Sequence, residues 1–238
     1  MIKTKCAKSG LVSLHLSERP KTLRELALER MRSAIVTAHF EPGERLVERN
    51  LCLQLGVSRS VVREVVRHLE SEGLVETVPH QGPVVARLDE ATAAEIYEIR
   101  ALLEGSAAAA SAKSATTRDI AALGAALREI EKAYAREDVL AVLDSTTRFY
   151  ETLFLCGGKS VSWEIVQRLN GRISRLRVMT ISSSGRAKSG PKQMHAILKA
   201  IKEGNAEAAR QACHAHIAMA SAIAKEILKV EADRRSEA

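Results

Sequence analysis

Three arginines stand four residues apart in the segment from residue 59 to residue 67, and they offer hydrogen-bond donors to phosphates and to base edges. With this spacing Arg59, Arg63 and Arg67 share one face of a helix. The adjoining face is apolar, and it is formed by Val62, Val65, Val66 and Leu69. One face is therefore expected to pack into a domain core, while the other stays free to contact nucleic acid.

Ser58 directly precedes this helix, where its hydroxyl can accept one of the unpaired amide protons of the first turn. The other free amides and the positive end of the helix dipole favour a phosphate at the same place. Gly56 predicts a tight turn from a preceding helix. Together these residues predict a helix-turn-helix whose second helix begins with arginine.

A second group of polar residues falls on apolar stripes of helices in the C-terminal half. Thr146 and Tyr150 are four residues apart on one stripe, and His216 lies on another. Their stripe neighbours are Val142, Leu143 and Leu153 for the first, and Ala209, Cys213, Ala220 and Ile223 for the second. Polar groups inside a bundle need hydrogen bonds to one another, to water or to a ligand. These positions therefore predict a polar cavity.

The elements that position the arginines are predicted within residues 21–88. Thr22 and Glu25 have the spacing of a capping box, and the following periodicity predicts a first helix to about His39. A second helix is expected from Val47 to Leu55, and the arginine helix is expected to end at Gly73. Two short β-branched runs, 74–78 and 83–88, flank a Pro-His-Gln-Gly turn and predict a wing hairpin.

Residues 89–238 show helical periodicity and no strand pattern. Thr92 and Glu95 have capping-box spacing at the start of a long helix. Further helices are expected at 117–136, 138–156, 160–180, 191–203 and 206–231, with Pro191 at a first helical position. The Ser-, Gly- and Lys/Arg-rich segment 182–190 is expected to be a mobile loop.

Composition limits the class of protein. The chain has 238 residues, a net charge of +7 and only 3% aromatic residues, which favours helix packing over a large sheet. Residues through Leu88 hold 14 basic and 10 acidic side chains, a mild excess that suits nucleic acid. We predict a mainly α protein: a winged helix-turn-helix of three helices plus a β-hairpin wing, followed by an all-α bundle of six to seven helices.

The four cysteines are far apart and form no CxxC pair, so neither a disulfide framework nor a zinc ribbon is indicated. No apolar run approaches the length of a membrane span. Residues 1–20 mix Lys, Ser and His too freely for a signal peptide and are expected to be a mobile tail. We therefore expect a cytoplasmic protein without a membrane partner.

The sequence resembles the GntR superfamily of bacterial transcription regulators, and within it the FadR-type branch with an all-helical FCD effector domain. The resemblance covers about residues 21–225. The segments that carry it are Pro-Gly-Glu-Arg-Leu (42–46), Leu-Gly-Val-Ser-Arg-Ser (55–60), Val-Arg-Glu (62–64), Glu-Gly-Leu-Val (72–75) and Ile-Tyr-Glu-Ile-Arg-Ala-Leu-Leu-Glu (96–104). It implies a DNA-binding domain at 21–88 and an effector-binding and dimerisation domain at 89–238.

The resemblance also implies a set of DNA contacts. They are an arginine ahead of the second helix, the start of the recognition helix and the tip of the wing, which fall on Arg49, Arg59, Ser60, Arg63, Gln81 and Gly82. Arg59 and Arg63 suit base edges, whereas Arg49 and Arg67 suit phosphates, and Ser58 caps the helix. Two alternatives remain: a winged helix that binds protein, and a charged face that is merely solvated.

FCD domains commonly hold a divalent metal through an Asp and a His four apart, plus two later histidines. In this chain Thr146 and Tyr150 replace the first pair, while His195 and His216 match the later histidines. A hydroxyl pair is a poor substitute for Asp and His. No resident metal is therefore expected, with His195 and His216 as weak candidate ligands or as satisfied core histidines.

The family further implies an arginine that pairs with a carboxylate effector. Arg172 flanks the stripe Ile165, Leu169, Ile173 and Leu176, and its planar fork of donors matches a carboxylate. Arg100 can serve the same purpose or pair with Glu104 one turn away, and the pairing is the slightly favoured interpretation. We therefore rank Arg172 first, and expect Thr146, Tyr150, His195 and His216 to complete the pocket.

The sequence thus predicts a homodimeric repressor or activator, with repression favoured, that binds a two-fold symmetric operator and responds to a small carboxylate effector. One alternative changes the trigger to a metal ion or acyl-coenzyme A, or removes it. Another is a helical enzyme with an accessory DNA-binding-like domain. Because the chain has no P-loop, dinucleotide glycine motif, HExxH or nucleophile elbow, we expect no catalysis.

Overall fold

The computed structural model describes residues 21–236, and within them ten helices and a two-stranded antiparallel sheet. The N-terminal elements are α1 (Leu23–Val36), α2 (Glu48–Leu55), α3 (Arg59–Ser71), β1 (Val75–Val78) and β2 (Gly82–Val85). The C-terminal elements are α4 (Glu90–Ser114), α5 (Thr117–Ala135), α6 (Val139–Cys156), α7 (Ser160–Arg168), α8 (Asn170–Ile181), α9 (Arg186–Lys202) and α10 (Ala206–Ser236). The predicted fold class, a winged helix followed by a helical bundle, is confirmed. The expected tail at 1–20 lies outside the described residues.

Local signals around the arginine helix form as the sequence predicts. Thr22 and Glu25 make the capping box that starts α1. Ser58 is the N-cap of α3, and its hydroxyl accepts from the Val61 amide at 3.5 Å. Gly56 ends α2 with a φ of 64° and Gly73 follows α3 with a φ of 68°, which are left-handed conformations that glycine adopts without strain. These caps fix where α3 begins and ends.

The wing is a short hairpin in which Val75 pairs with Val85 and Val78 pairs with Gly82. Its tip contains two left-handed residues, His80 with a φ of 64° and Gly82 with a φ of 82°. The second strand ends at Val85 rather than at Leu88. The other edge of the second strand is also paired, since Arg45 forms an antiparallel bridge with Val84.

Two clusters of buried apolar residues form the cores. One joins α1, α2, α3 and the wing around Leu69 and Leu74, both fully buried. The other fills the helical bundle around Phe149, Leu153 and Ile173. Leu143 of α6 belongs to the first cluster, so the two halves share an apolar contact. The domain boundary at residue 88 stays a prediction.

The single helix predicted at 160–180 is wrong, because the chain turns at Leu169 and divides it into α7 and α8. The turn lets α8 lie against the winged helix. A Cβ at Gly171 would stand 2.8 Å from Cγ of Leu74, so this close approach requires glycine. Periodicity alone could not show the turn, since the apolar stripe continues through it.

The predicted loop at 182–190 is also wrong in its second half. Helix α9 begins at Arg186, and Pro191 lies inside it rather than at its first position. The buried Arg186 side chain holds the early turns together through its 2.9 Å bond to Gln193. Smaller differences are the end of α1 at Val36 and the cap of α4, which is Asp89 instead of a Thr92 capping box.

Candidate functional site

The first candidate site is a shallow cleft between the start of α2, the start of α3 and the wing. It brings together Arg49, Arg59, Gln81 and Gly82, four of the residues named from the sequence. Arg45 joins them, although the sequence analysis did not select it. Arg45 lies beside the wing because it forms a bridge with Val84, and the sequence alone does not show this pairing. Three guanidinium groups thus line one exposed cleft, as a phosphate backbone requires.

Farther along α3, Arg63 and Arg67 are exposed on the same helix. Arg63 donates to the Glu48 carboxylate at 2.9 Å, and this bond lowers the pKa of Glu48. DNA must therefore compete with Glu48 for Arg63. The Ser60 and Ser58 hydroxyls lie 2.8 Å apart at the helix start, where free amides also face solvent.

The second candidate site is a small cavity inside the C-terminal bundle, here called the bundle cavity, with a volume of about 30 Å³. It lies where α4, α5, α6, α8, α9 and α10 meet. Its polar lining consists of Arg100, Tyr134, Thr146, Arg177, Thr180, Arg186 and His216. Its apolar lining consists of Ile130, Ile181, Met194 and Ala220.

A buried ion pair forms one wall of the bundle cavity. Arg100 is 2% exposed and its Nε donates to Oε1 of the fully buried Glu104 at 2.8 Å. Burial opposes the charge on Arg100, but Glu104 and the neighbouring tyrosines outweigh it, so its pKa is raised. The guanidinium also lies 5.3 Å from the ring centre of Tyr97 and 6.0 Å from that of Tyr150. Arg100 is thus held in place as a cation.

Arg177 approaches from α8 and is less well paired. Its guanidinium carbon is 4.9 Å from the Tyr150 ring centre, and its Nη2 is 3.8 Å from Glu104 Oε1, beyond hydrogen-bond range. One of its nitrogens, Nη1, donates to Thr147 at 3.3 Å. Burial, reinforced by the charge of Arg100, lowers the pKa of Arg177 to about 10. It still carries a positive charge at neutral pH.

Several buried polar atoms around the bundle cavity have no hydrogen-bond partner. They are Nη1 of Arg100, Nε and Nη2 of Arg177, and the hydroxyls of Tyr97 and Tyr150. Burial raises the pKa of both tyrosines, so their hydroxyls stay protonated. Leaving a buried donor unpaired is costly. All five atoms can donate to an oxygen, and Arg100 and Arg177 line the cavity, which favours an anion or a strongly polar acceptor there.

The opposite side of the bundle cavity is a chain of hydrogen bonds between α9 and α10. His216 is 5% exposed, and burial together with Arg186, Arg100 and Arg177 holds its pKa well below the usual value. Its Nε2 accepts from Arg186 at 3.5 Å, and its Nδ1 donates to Gln193 Oε1 at 3.2 Å. His216 is therefore a neutral, oriented ring beside a buried cation.

The structure brings together most of the cavity residues named from the sequence. Thr146 and His216 line the bundle cavity, and Tyr150 stacks on Arg177 behind it. Arg100 is there as well, and it pairs with Glu104 through Nε while its buried Nη1 has no hydrogen-bond partner. The two proposed roles of Arg100 are therefore compatible.

The expected positions of His195 and Arg172 are wrong. His195 is exposed on the surface of the bundle and contacts Glu131 at 2.8 Å. On α9 it stands next to the buried Met194, and the sequence pattern does not show which side of this helix faces the core. Arg172 packs on Gly73 of the winged helix, where a Cβ would collide with its guanidinium. Arg172 is not among the residues that line the bundle cavity.

Arg177 and Arg186 were missed. Arg177 follows Ile173 by four residues and so continues the buried stripe of α8, a signal that the sequence does contain. Arg186 gave none, because it stood in a segment that resembled a polar loop.

A divalent metal does not fit the bundle cavity. His216 already spends both ring nitrogens on Arg186 and Gln193, and three guanidinium groups would repel a cation. Thr146 offers only a hydroxyl, and His195 is elsewhere. Across residues 21–236 no group of three or more His, Cys, Asp or Glu side chains is arranged to hold a metal ion.

Helix α8 also touches the winged helix directly. Arg175 donates from Nη1 to the carbonyl oxygen of Ala86, just after the wing. A wider cleft lies beside this contact, between α1, α6 and α8. Both of its cationic side chains are already paired, Lys21 with Glu29 at 2.7 Å and Arg32 with Glu72, and Asp144 adds a further negative charge. The unpaired donors make the bundle cavity the stronger candidate for a ligand.

The chain matches two known families of protein domains. Residues 23–85 match the family described as bacterial regulatory proteins, gntR family, and residues 95–219 match the FCD domain. The chain belongs to the GntR family and carries an FCD domain. It is a DNA-binding transcription regulator and not an enzyme.

Proteins similar to this GntR regulator are themselves described as transcriptional regulators. An HTH-type transcriptional regulator of Bacillus subtilis, YdhC, is 30% identical over 78% of this chain and 84% of its own length. The HTH-type transcriptional repressor RspR of Escherichia coli is 23% identical over 87% and 91%. The crystal structure of a GntR regulator from Rhodococcus superposes with a TM-score of 0.72 at 25% identity, covering 84% of this chain and 96% of that one. In the described part of this regulator, no helix is long and apolar enough to cross a membrane.

Proposed function

We propose that this GntR regulator is a cytoplasmic repressor that binds a two-fold symmetric operator as a homodimer and is controlled by a small organic acid in the bundle cavity. The observation that carries the proposal is the set of unpaired, buried donors around Arg100 and Arg177. Such donors favour a ligand that supplies acceptor oxygens.

Base reading is assigned to the start of α3. Arg59, Ser60 and Arg63 are exposed there, and an arginine in the major groove can pair with O6 and N7 of guanine. Ser58 caps this helix, so its remaining free amides can bind phosphate.

Phosphate contacts are assigned to Arg45, Arg49 and Arg67, which flank the base-reading residues. The wing tip contributes Gln81 and Gly82. A Cβ at Gly82 would meet open space, so glycine there serves the positive φ of the tip and leaves its backbone accessible. Both groups would set the register of α3 on the duplex.

A homodimer follows from the size of the reading head. One recognition helix contacts only a few base pairs, whereas two copies on related half-sites multiply the discrimination. The bundle would then hold the two heads at a fixed spacing. An effector changes operator affinity only as far as it binds one geometry of the dimer better than the other.

A route for this control is α8, because it touches both sites. Arg177 faces the bundle cavity, whereas Arg175 and Arg172 contact Ala86 and Gly73 of the winged helix. An anion that draws Arg177 toward itself would shift α8 and the winged helix together. The Arg177 bond to Thr147, at 3.3 Å, would be the first to change.

The proposal is tested by selecting duplexes from a random-sequence pool and footprinting the winner. A palindromic site with half-sites about one helical turn apart supports it. Recovery of an asymmetric site, or of none, contradicts it. Organic acids are then screened for release of the selected duplex, with a neutral sugar as control.

A further inference from the structure

Positive charge exceeds negative charge in and around the bundle cavity. The cations are Arg100, Arg177 and Arg186, and all three are buried. Glu104 is the carboxylate that pairs with them, with Arg100 at 2.8 Å and with Arg177 at 3.8 Å. His216 stays neutral, because its pKa lies well below the usual value. Three guanidinium groups thus share one carboxylate, which leaves a net surplus of two positive charges among the residues that line this cavity or bond to its lining.

The two surplus charges come from different helices. Arg177 belongs to α8 and has two unpaired nitrogens. Arg186 begins α9, and its bonds go to the neutral side chains of Gln193 and His216. Burial lowers the pKa of Arg186, as it does for Arg177, which means that each pays a desolvation cost that an anion would relieve.

From this arrangement we infer that the bundle cavity takes a compact dianion, with one anionic group or edge at Arg177 and another at Arg186. A short dicarboxylate and a phosphate monoester both meet this requirement. The inference rests on the proposed function and adds the charge of the effector to it. Beside Ile130, Met194 and Ala220 the cavity has only about 30 Å³ of free space, so the ligand must be small and the lining side chains must move apart to admit it.

The neutral His216 sharpens the requirement. Its Nε2 accepts from Arg186, so it orients the guanidinium without cancelling its charge. Gln193 does the same from the other side at 2.9 Å. Arg186 is therefore a positioned cation whose only missing partner, among these contacts, is a negative charge.

The test uses the full chain at about pH 8 with a chelator present, and it follows thermal stabilisation by pairs of anions. Butyrate and succinate have the same number of carbons but one and two charges. Inorganic phosphate represents the phosphate arm. We expect succinate or phosphate to bind roughly tenfold or more tightly than butyrate, the value of one charge-assisted contact. Tighter binding of succinate indicates a dicarboxylate ligand, and tighter binding of phosphate indicates a phosphate monoester.

Variants separate charge from fold. Arg186→Gln should weaken the preferred dianion about tenfold or more and leave butyrate nearly unchanged. Arg186→Lys keeps the charge and should keep the preference, and it covers the case in which Arg186→Gln does not fold. Arg128→Gln, on the exposed face of α5, is the matched control and should change neither.

Equal binding of butyrate and succinate, or an equal loss of both in Arg186→Gln, overturns the inference but leaves the proposed function standing. Absence of stabilisation by all three anions also overturns it. The proposed function fails separately, if no organic acid of any charge releases the selected duplex.

Discussion

Arg175 donates a hydrogen bond to the carbonyl oxygen of Ala86 and thereby joins the bundle to the end of the wing. Arg177, two residues later on the same helix, faces the bundle cavity. Residues two apart on a helix point in nearly opposite directions, so α8 presents one arginine to each site. A ligand-induced movement of α8 would therefore reach the winged helix without passing through a flexible loop.

Replacing Arg175 by Met should uncouple the two sites, because it removes the bond to Ala86 while keeping an unbranched apolar stem. We expect ligand affinity within about threefold of the parent protein and a loss of most of the effector-induced change in operator affinity, normally about 5- to 150-fold. Anisotropy titrations with and without effector measure both quantities. The Arg128→Met variant is the control, and unaltered coupling in Arg175→Met would exclude this route.

Arg59 and Arg63 should determine sequence preference, and Arg67 should not. Arg59→Ala or Arg63→Ala is expected to weaken the selected duplex roughly ten- to hundredfold and random duplexes much less. Arg67→Ala should weaken both classes similarly and lower the salt dependence. Competition binding at one fixed salt concentration compares them. A double Arg59/Arg63 variant that still prefers the selected duplex would contradict the assignment.

Glu104 should be a major source of stability, since it is fully buried and neutralises Arg100. Glu104→Gln leaves buried cations uncompensated and should cost about 3–5 kcal/mol of unfolding free energy. The same change adds to the positive charge of the bundle cavity, so anions should stabilise the variant more than the parent. Urea unfolding with and without succinate or phosphate tests both parts. A loss below about 1 kcal/mol would mean that the pair is not buried in solution.

His216 predicts a pH dependence of stability. Its pKa in the folded protein lies below the unfolded value of 6.5, so on acidification the unfolded chain binds the proton first. Its contribution to stability is therefore intact above about pH 6.5 and is lost as the pH falls below that value. The slope is at most about 1.4 kcal/mol per pH unit for one proton. His216→Gln should flatten the melting temperature between about pH 6.5 and pH 5, whereas exposed His195→Gln should not.

The fold was predictable because its signals are local. The Thr22 cap, the turn at Gly56 and the alternating faces of α3 each depend on a few neighbouring residues, and each appears in the structure. Features that depend on packing between distant segments could not be predicted from the sequence. Glycine is needed at position 171 only because α8 approaches Leu74, a contact across about a hundred residues.

The cavity was predictable in part. Thr146, Tyr150 and His216 stood out because polar residues on apolar stripes need partners. Arg186 could not stand out, because its burial depends on α10 and not on its own neighbours. Similarly, nothing near Arg172 in the sequence shows that it packs on Gly73 instead of a ligand.

Control of operator binding by an anion at Arg177 is tested most directly by the affinity for the selected duplex. The affinity is measured with and without a saturating anion, at constant ionic strength, for the parent protein and for Arg177→Gln. We expect a change of at least about fivefold in the parent protein and none in the variant, while both bind the duplex equally well without the anion. Equal affinity with and without the anion in the parent, or the same change in both proteins, would contradict it.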